Sequence, residues 1–392
     1  MPKLLTDETL RGWMSLAVMT AAGAGAYVRA LPEGVKSIIQ TVRNDGPNDI
    51  DLDNRTRNYY EGLLDMDRES NERGGLAMQL AGFFQSRQQL PSEWAEQKEP
   101  IAPEPIESFL FRENIPGYDG TYKGCHFHMN QWGQRSNVEY TKEKPPGVFR
   151  ITVCGGSNTM GYGVPLKDSF PYQIEQRLNR ELSPKTGLRY EVINFSANGY
   201  HLPDKLYMAT QRFAAFQPDL AIVDVLGFDL GLINYDYLGR RVREGRNLHF
   251  DFLKEIVRQA GAKQSDKREV SLKKLKPYRK SLVEDCFREL HRYEQQSGIP
   301  FLVLALRDDT RGIPSKLRWL VQDAEKEGLA VLPIYDSLEG GGMDMYVHPR
   351  DYHYSAKAHH LIADEIYSKM MANPRMAAIF NGPTRAQEEP PK

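Results

Sequence analysis

Two short segments carry the residue types of nucleophilic catalysis. Gly155-Gly156-Ser157 directly follows an apolar run, and Asp351-Tyr352-His353 lies near the C-terminus. Glycines before a serine allow a tight turn that exposes the hydroxyl. Alternate residues of an extended segment project to the same side, so Asp351 can orient the imidazole of His353. A serine, a histidine base and an orienting carboxylate are the groups that covalent acyl transfer requires.

Each segment also has a purely structural interpretation. Ser157 would suit a glycine-rich structural turn, and Asp351 and His353 would suit a loop before a helix that Ser355 caps. Thr159 stands where the nucleophile elbow of α/β-hydrolases needs Gly, which excludes that motif. The Gly-Lys-Ser/Thr of a phosphate-binding P-loop is absent as well. Asp344 with His348 forms a competing acid and base pair near the C-terminus.

The elements that must position these residues follow an alternating pattern after Phe149. Apolar, β-rich runs predict strands at 149–154, 190–195, 220–226, 301–306 and 329–334. Helical spacing predicts helices at about 169–182, 203–216, 271–296, 314–326 and 355–371. This alternation predicts an α/β fold of three layers with a five-stranded parallel sheet. Its ligands are expected at the carboxyl ends of the strands.

Four segments together resemble the SGNH/GDSL hydrolase superfamily, specifically bacterial members whose first block is GGS. They lie within residues 149–373 and read FRITVCGGSNTMGYGV, YEVINFSANGY, PDLAIVDVLGFD and DYHYSAKAHHLIADEI. The upstream NQWGQR at 130–135 is similar to the segment that often leads into this domain. The resemblance implies a flavodoxin-like α/β/α SGNH hydrolase fold, preceded here by an N-terminal helical or irregular extension.

The resemblance also implies roles for individual residues. Ser157 would be the nucleophile, His353 the general base and Asp351 the group that orients His353. The backbone N–H groups of Ser157 and Gly199 would bind the oxyanion.

This sequence departs from the family pattern at the position of a further oxyanion donor. The family has an Asn side chain in the third block, and this chain has Asp229 there. A carboxylate would repel a developing oxyanion, and loss of one donor typically costs about 10²–10³ in turnover. Asn198, beside Gly199, or Asn158, beside the serine, would be a replacement amide.

The predicted function is a serine esterase acting on carboxylic esters, with O-acetylated glycans, lipids and other small esters as candidate substrates. An SGNH-fold acyltransferase would use the same residues. Asp229 also admits a catalytically weakened module that binds a glycan or a partner protein. No metal or organic cofactor is implied, because His126 and His128 have no companion ligands at zinc spacing.

Composition bounds the partners. The chain has 392 residues, with 51 Lys and Arg against 52 Asp and Glu, and its net charge of −1 argues against a nucleic-acid binder. The charge is unevenly placed. Residues 41–148 form an acidic extension and lead-in, in which the Pro-rich stretch 99–105 is predicted to be an extended linker.

A basic insertion is predicted at 231–270, and residues 240–280 hold fourteen Lys and Arg against five Asp and Glu. It is expected either to cover the site and favour an anionic substrate, or to be a solvated helical insertion.

The two ends of the chain carry separate predictions. Residues 1–40 contain Trp13 to Val28, 16 residues without charge, which suit a signal peptide, a single membrane anchor or a packing helix of a soluble protein. The protein is accordingly expected to be exported or membrane-anchored, or else cytoplasmic. Residues 374–392 are predicted to be a disordered tail. The sequence predicts no particular oligomeric state.

Overall fold

A computed structural model of the protein describes residues 90–307, 315–349 and 351–380. These residues belong to a compact unit that spans 89–392. The predicted signal or anchor segment, the acidic stretch up to residue 89 and the tail from 381 lie outside the described residues. Within the described ranges, no helix combines the length and hydropathy needed to cross a bilayer.

The strands of the described residues are β1 (Ile101–Pro103), β2 (Arg112–Asn114), β3 (Asp119–Tyr122), β4 (Cys125–His128), β5 (Val148–Cys154), β6 (Arg189–Asn194), β7 (Leu220–Leu226), β8 (Phe301–Leu306), β9 (Ala330–Ile334), β10 (Tyr346–His348) and β11 (Asp351–Tyr354). Strands β5 to β9 form one parallel sheet in the order β6-β5-β7-β8-β9. The other strands form three antiparallel pairs, β1-β2, β3-β4 and β10-β11. The five predicted strands are therefore confirmed.

The helices of the described residues are α1 (Glu93–Glu96), α2 (Ser157–Met160), α3 (Phe170–Glu181), α4 (Ser183–Thr186), α5 (Leu202–Gln211), α6 (Leu232–Glu244), α7 (Asp251–Ala260), α8 (Arg268–Leu275), α9 (Arg279–Ser297), α10 (Ser315–Lys326), α11 (Ala356–Ala372) and α12 (Pro374–Phe380). Helices α5, α9 and α10 bury their apolar side chains in the same core as alternate residues of β7 and β8. Helix α3 packs against α11 in a separate layer. The three-layer α/β/α architecture is confirmed.

Three local predictions are wrong. The Pro-rich stretch contains β1, which pairs with β2 from Ile101↔Asn114 to Pro103↔Arg112, so it is part of a hairpin and no linker. The predicted helix 271–296 is divided between α8 and α9 by a 3₁₀ turn at Lys276–Tyr278, where Pro277 cannot donate a backbone hydrogen bond. The tail was expected from residue 374, but α12 continues to Phe380, whose side chain is buried.

The strand order places a ligand site at the end of β5. Counted along the chain, the sheet strands lie in the order 2-1-3-4-5, so the direction of winding reverses between β5 and β7. Open parallel sheets bind ligands in the crevice at that reversal, beyond the carboxyl ends of the strands. Ser157 begins α2 three residues after β5 ends at Cys154. The topology thus directs Ser157 to the predicted position.

Candidate active site

A tight turn of residues 155–157, called the serine turn below, carries Ser157 from β5 into α2. A Cβ atom at Gly155 would lie 1.8 Å from Oδ2 of Asp224, so only glycine fits there. Asp224 Oδ2 accepts hydrogen bonds from the backbone N–H of Gly156 at 3.2 Å and from the hydroxyl of Thr159. A buried carboxylate on the central strand β7 therefore fixes the serine turn.

Ser157, His353 and Asp351 meet in one hydrogen-bonded chain. The Oγ atom of Ser157 lies 2.9 Å from Nε2 of His353, and Nδ1 of His353 is hydrogen-bonded to Oδ1 of Asp351. Burial opposes ionisation of Asp351, but the neighbouring His353 and Lys123 outweigh it and hold the pKa of this carboxyl well below its usual range. An ionised carboxylate only accepts, so Nδ1 carries the proton and Nε2 is free to accept from the Ser157 hydroxyl.

Strand β11 supplies both Asp351 and His353, as their spacing predicts. The alternation of the strand puts both side chains on one side. Ser355 caps the following helix α11, with its Oγ accepting from the N–H of Ala358 at 3.3 Å. In the competing pair, Asp344 binds Lys357 instead, with 2.5 Å between Oδ2 and Nζ. The geometry therefore favours His353 over His348.

Lys123 is a site residue that the sequence analysis missed. Its Nζ lies 2.8 Å from the second carboxylate oxygen of Asp351, Oδ2, and both side chains are buried. Its ammonium group also lies over the rings of Trp94 and Tyr162, at 5.4 and 5.0 Å from their centroids. The Tyr162 ring in turn packs against His353, with the ring centroids 4.4 Å apart. Lys123 and Asp351 are 228 positions apart, which explains why no local pattern links them.

Arg135, in the NQWGQR segment, holds the backbone at the end of α2 and just after it. Its guanidinium group is buried, stacks over Phe127 with Cζ 3.8 Å from the ring centroid, and donates to the backbone carbonyls of Met160, Gly161 and Val164. Burial lowers the pKa of Arg135 to about 9. This segment was recognised only as a lead-in to the domain. The structure shows that it holds the segment following Ser157.

Two backbone N–H groups are available near the serine. Gly199 has φ of +79°, a conformation that favours glycine. Among the described residues, neither the N–H of Ser157 nor that of Gly199 has a hydrogen-bond acceptor. The side chain of Asn198 is held by Glu99, which accepts from its Nδ2, and Asn158 Oδ1 accepts from the N–H of Tyr354 at 3.0 Å. Each of these Asn side chains therefore has a structural contact.

Asp229, expected from the sequence at an oxyanion position, is held by contacts in the core. Its side chain is fully buried, and Oδ2 accepts from the N–H of Leu226 at 2.9 Å and from Nζ of Lys205 at 3.1 Å. Lys205 also pairs with Asp224, at 2.6 Å from Nζ to Oδ1. Burial would lower the pKa of Lys205, but Asp224 and Asp229 raise it, so the ammonium form is retained. Oδ2 of Asp229 is thus bound to Lys205 and Leu226, whereas the buried Oδ1 has no hydrogen-bond partner among the described residues.

The basic insertion is helical, comprising α6, α7 and α8, and much of its charge is paired with acidic residues inside and outside it. Arg241 is buried, pairs with Asp204 at 2.8 Å and donates to the carbonyl of Phe109. Arg268 pairs with Asp236 at 2.7 Å, and Lys274 with Asp266 at 2.8 Å. Exposed pairs add Lys254 with Asp251 and Arg258 with Glu255. These contacts fit the alternative of a solvated helical insertion, and an anionic substrate stays a prediction.

Three further histidines have structural environments. His359 is buried, its Nδ1 accepts from the N–H of Phe170 at 3.3 Å, and burial lowers its pKa to about 3. His126 and His128 share the carboxylate of Asp119 on the exposed β3-β4 hairpin. In the described part of the chain, no group of three or more His, Cys, Asp and Glu side chains is arranged to hold a metal ion.

The parallel sheet has the order 2-1-3-4-5, the serine turn follows its first strand, and Asp351 and His353 precede helix α11. The described unit has a flavodoxin-like α/β/α fold, in agreement with the resemblance to SGNH hydrolases.

Comparisons with known proteins give structural but no sequence matches. No protein-family profile and no curated protein matches the chain. The chain is similar to the structure of TesA, at 15% identity over 57% of this chain and 98% of that one, with a TM-score of 0.37. It is similar to AlinE4, an SGNH-hydrolase family esterase, at 17% identity over 48% and 77% with a TM-score of 0.29.

A third similar structure is a catalytic mutant of Axe2, an acetylxylan esterase from Geobacillus stearothermophilus. It shares 11% identity over 56% of this chain and 93% of that one, with a TM-score of 0.36. At such identities the likeness concerns the fold alone. The chemistry of this chain has to be argued from its own residues.

Proposed function

We propose that this protein is a serine esterase of SGNH type that hydrolyses carboxylic esters through Ser157, His353 and Asp351. The observation that carries the proposal is the distance of 2.9 Å between Ser157 Oγ and His353 Nε2, with Asp351 bound to the opposite ring nitrogen. This arrangement activates a serine, because the nucleophile lies within hydrogen-bond reach of a base and a third group orients that base.

The reaction would proceed in two halves. Ser157 Oγ attacks the ester carbonyl carbon while Nε2 of His353 takes its proton, and the carbonyl oxygen becomes an oxyanion. The N–H groups of Ser157 and Gly199 would bind that oxyanion. Collapse expels the alcohol, which receives the proton from His353, and leaves the acyl group on Ser157. Water, deprotonated by His353, then releases the carboxylic acid and restores the serine.

The position of Asp229 supports an active enzyme over a weakened binding module. The weakened module was considered because a carboxylate at the oxyanion would oppose catalysis. Because the ammonium group of Lys205 lies 3.1 Å from Asp229 Oδ2, it offsets the charge of this carboxylate and weakens the repulsion of an oxyanion. An acyltransferase would share the first half-reaction and would differ only in handing the acyl group to a sugar hydroxyl instead of water.

Hydrolysis of a short activated ester tests this proposal. We expect purified protein to hydrolyse p-nitrophenyl acetate, and Ser157→Ala to reduce kcat by about 10³-fold or more. Ser297→Ala is a suitable control, because Ser297 is exposed at the end of α9, where its hydroxyl donates to the carbonyl of Tyr293 and accepts from the N–H of Ile299. Equal rates for the wild type and Ser157→Ala would contradict the esterase proposal. Adding a sugar acceptor and analysing the products by mass spectrometry would separate hydrolysis from transfer.

A further inference from the structure

The β3-β4 hairpin directs a lysine into the active site. Its strands pair from Asp119↔His128 to Tyr122↔Cys125, which leaves Lys123 and Gly124 as the two-residue turn. Lysine at the tip of a hairpin normally extends into water, but only 4% of the Lys123 surface is exposed. The side chain instead reaches the buried carboxylate of Asp351.

The backbone of this turn is unusual for lysine. Lys123 has φ of +50° and Gly124 has φ of +72°. Two-residue turns with positive φ at both positions favour Asn, Asp or Gly at the first one, because Gly lacks a Cβ and Asn and Asp tolerate this conformation better than other residues do. Strained backbone conformations persist where surrounding contacts hold them, and they cluster at functional sites. The ion pair with Asp351 is a contact that holds this one.

The carboxylate of Asp351 links Lys123 to His353. Asp351 Oδ2 binds Lys123 at 2.8 Å, and Asp351 Oδ1 binds Nδ1 of His353. Each carboxylate oxygen therefore has its own cationic or polar partner, which fixes the plane of the carboxylate and with it the imidazole ring. The rings of Trp94 and Tyr162 lie beside the ammonium group of Lys123.

We propose that Lys123 is a positioning residue of the catalytic machinery, which acts through Asp351 to hold His353 in line with Ser157. This inference rests on the proposed esterase function. It makes residues 90–147, the described part of the acidic extension and lead-in, a functional part of the enzyme. The reason is that Lys123 lies there and not in the domain that begins at residue 149. An enzyme truncated to residues 149–373 would have no counterpart of Lys123.

Lys123 is also expected to set the proton affinity of the Asp351 and His353 pair. A positive charge beside Asp351 opposes the formation of imidazolium on His353. Removing that charge should raise the proton affinity of the pair, so a higher pH is needed to leave His353 unprotonated. Among the described residues, the titratable groups next to this cluster include Tyr162, which packs against His353, Tyr122, which is hydrogen-bonded to Tyr162, His348, which packs against Trp94, and His359.

The test compares Lys123→Met and Lys123→Ala with the wild type and with Lys142→Met. Lys142 is a matched control, because it lies in the same region, is exposed, and has its ammonium group 4.6 Å from the ring centroid of Trp132. We expect Lys123→Met to lower kcat by about tenfold to a hundredfold with little change in KM, as a misplaced catalytic group does. The acid limb of its kcat/KM profile should move to higher pH. Added ethylammonium should partly restore kcat in Lys123→Ala.

The titration of His353, followed by NMR of the ring, gives a second readout that does not depend on turnover. A higher titration midpoint in Lys123→Met, with no change in Lys142→Met, would support the positioning role. A folded Lys123→Met protein with wild-type kcat and an unchanged His353 titration would overturn it. If the wild type lacks esterase activity while the titration still shifts, the proposed function fails and the coupling of Lys123 to His353 stands.

Discussion

Lys205 binds Asp229 in the core of the domain, with 3.1 Å between Nζ and Oδ2 and both side chains fully buried. Burial raises the pKa of Asp229, although Lys205 and the N–H of Leu226 oppose that shift. Asp229, which stands where the family that the sequence resembles has an oxyanion donor, is therefore held by an ion pair in the core.

Asp229→Asn is expected to retain activity. The amide oxygen can still accept from the N–H of Leu226, and Lys205 keeps its pair with Asp224 at 2.6 Å. Loss of one charged partner should lower the free energy of unfolding by about 1–3 kcal/mol. Ester hydrolysis and urea denaturation would measure the two effects. Complete loss of turnover in a folded Asp229→Asn protein would show that the carboxylate has a catalytic task of its own.

Gly155→Ala is expected to displace the serine turn. The added Cβ would lie 1.8 Å from Asp224 Oδ2 and 2.5 Å from Thr159 Oγ1, so the backbone must move and take Ser157 out of reach of His353. A displacement of about 1 Å can cost on the order of 10² in kcat. Gly261→Ala is the control, because that glycine also resists substitution, with φ of +60°, but has no atom within 4 Å of its added Cβ. A Gly155→Ala enzyme with wild-type kcat would contradict the role given to Asp224.

Glu175 should make stability depend on pH. Burial raises the pKa of Glu175 to about 7, above the ordinary value of 4.5 that applies in the unfolded chain. Between these values the folded state binds more protons than the unfolded state, so the contribution of Glu175 is fully present below pH 4.5 and is lost as the pH rises through about 7. The shift corresponds to a loss on the order of 3 kcal/mol.

Glu175→Gln tests that dependence, because the amide oxygen can still accept from the N–H of Val192, which lies 2.7 Å from Glu175 Oε2. Urea denaturation at pH 5 and pH 8 should show that the variant gains stability relative to the wild type at the higher pH. A stability difference that is the same at both values would disprove the assignment.

Arg112 should favour esters that carry a negative charge. A Cβ at Gly199 would lie 3.4 Å from Cζ of Arg112, so the guanidinium group adjoins the proposed oxyanion site. Its ion pair with Glu99 is long, at 3.9 Å, and its donors have no hydrogen-bond acceptor among the described residues. We expect Arg112→Gln to reduce the ratio of kcat/KM for p-nitrophenyl hemisuccinate over p-nitrophenyl propionate by about tenfold, the effect of about 1.4 kcal/mol.

Arg212→Gln is the control for this substrate preference. Arg212 pairs with Glu113 at 3.3 Å, is half exposed, and is not among the residues nearest to a Cβ at Gly199. An unchanged ratio in Arg112→Gln would show that Arg112 does not contact the charged part of the ester.

The sequence predicts the parts of this site that depend on local patterns. Strands such as β7 and β8 are continuous apolar runs, and their bounds agree with the prediction because buried parallel strands need apolar side chains on both faces. Asp351 and His353 lie two residues apart on one strand, and Ser157 follows glycines at a strand end, so each signal is contained in a few residues.

The rest of the site depends on contacts between distant positions. Asp224 lies within an apolar strand, and its contacts with Gly156 and Thr159 span more than 60 positions. Lys123 reaches Asp351 only because the lead-in hairpin folds against β11. Periodicity cannot predict such pairs. One available signal was local: a Lys-Gly pair stands in the β3-β4 hairpin turn where Asn-Gly is more favourable.

The most direct test of the central claim is to locate the residue that an activated phosphonate labels. A fluorophosphonate reacts with a serine whose hydroxyl is deprotonated by a neighbouring base, and trypsin would release Ser157 in the peptide 151–167. We predict one adduct per chain on Ser157, with labelling strongly slowed in His353→Ala and absent in Ser157→Ala. An adduct on another residue, or equal labelling of Ser157→Ala, would contradict the assignment of Ser157 as the nucleophile.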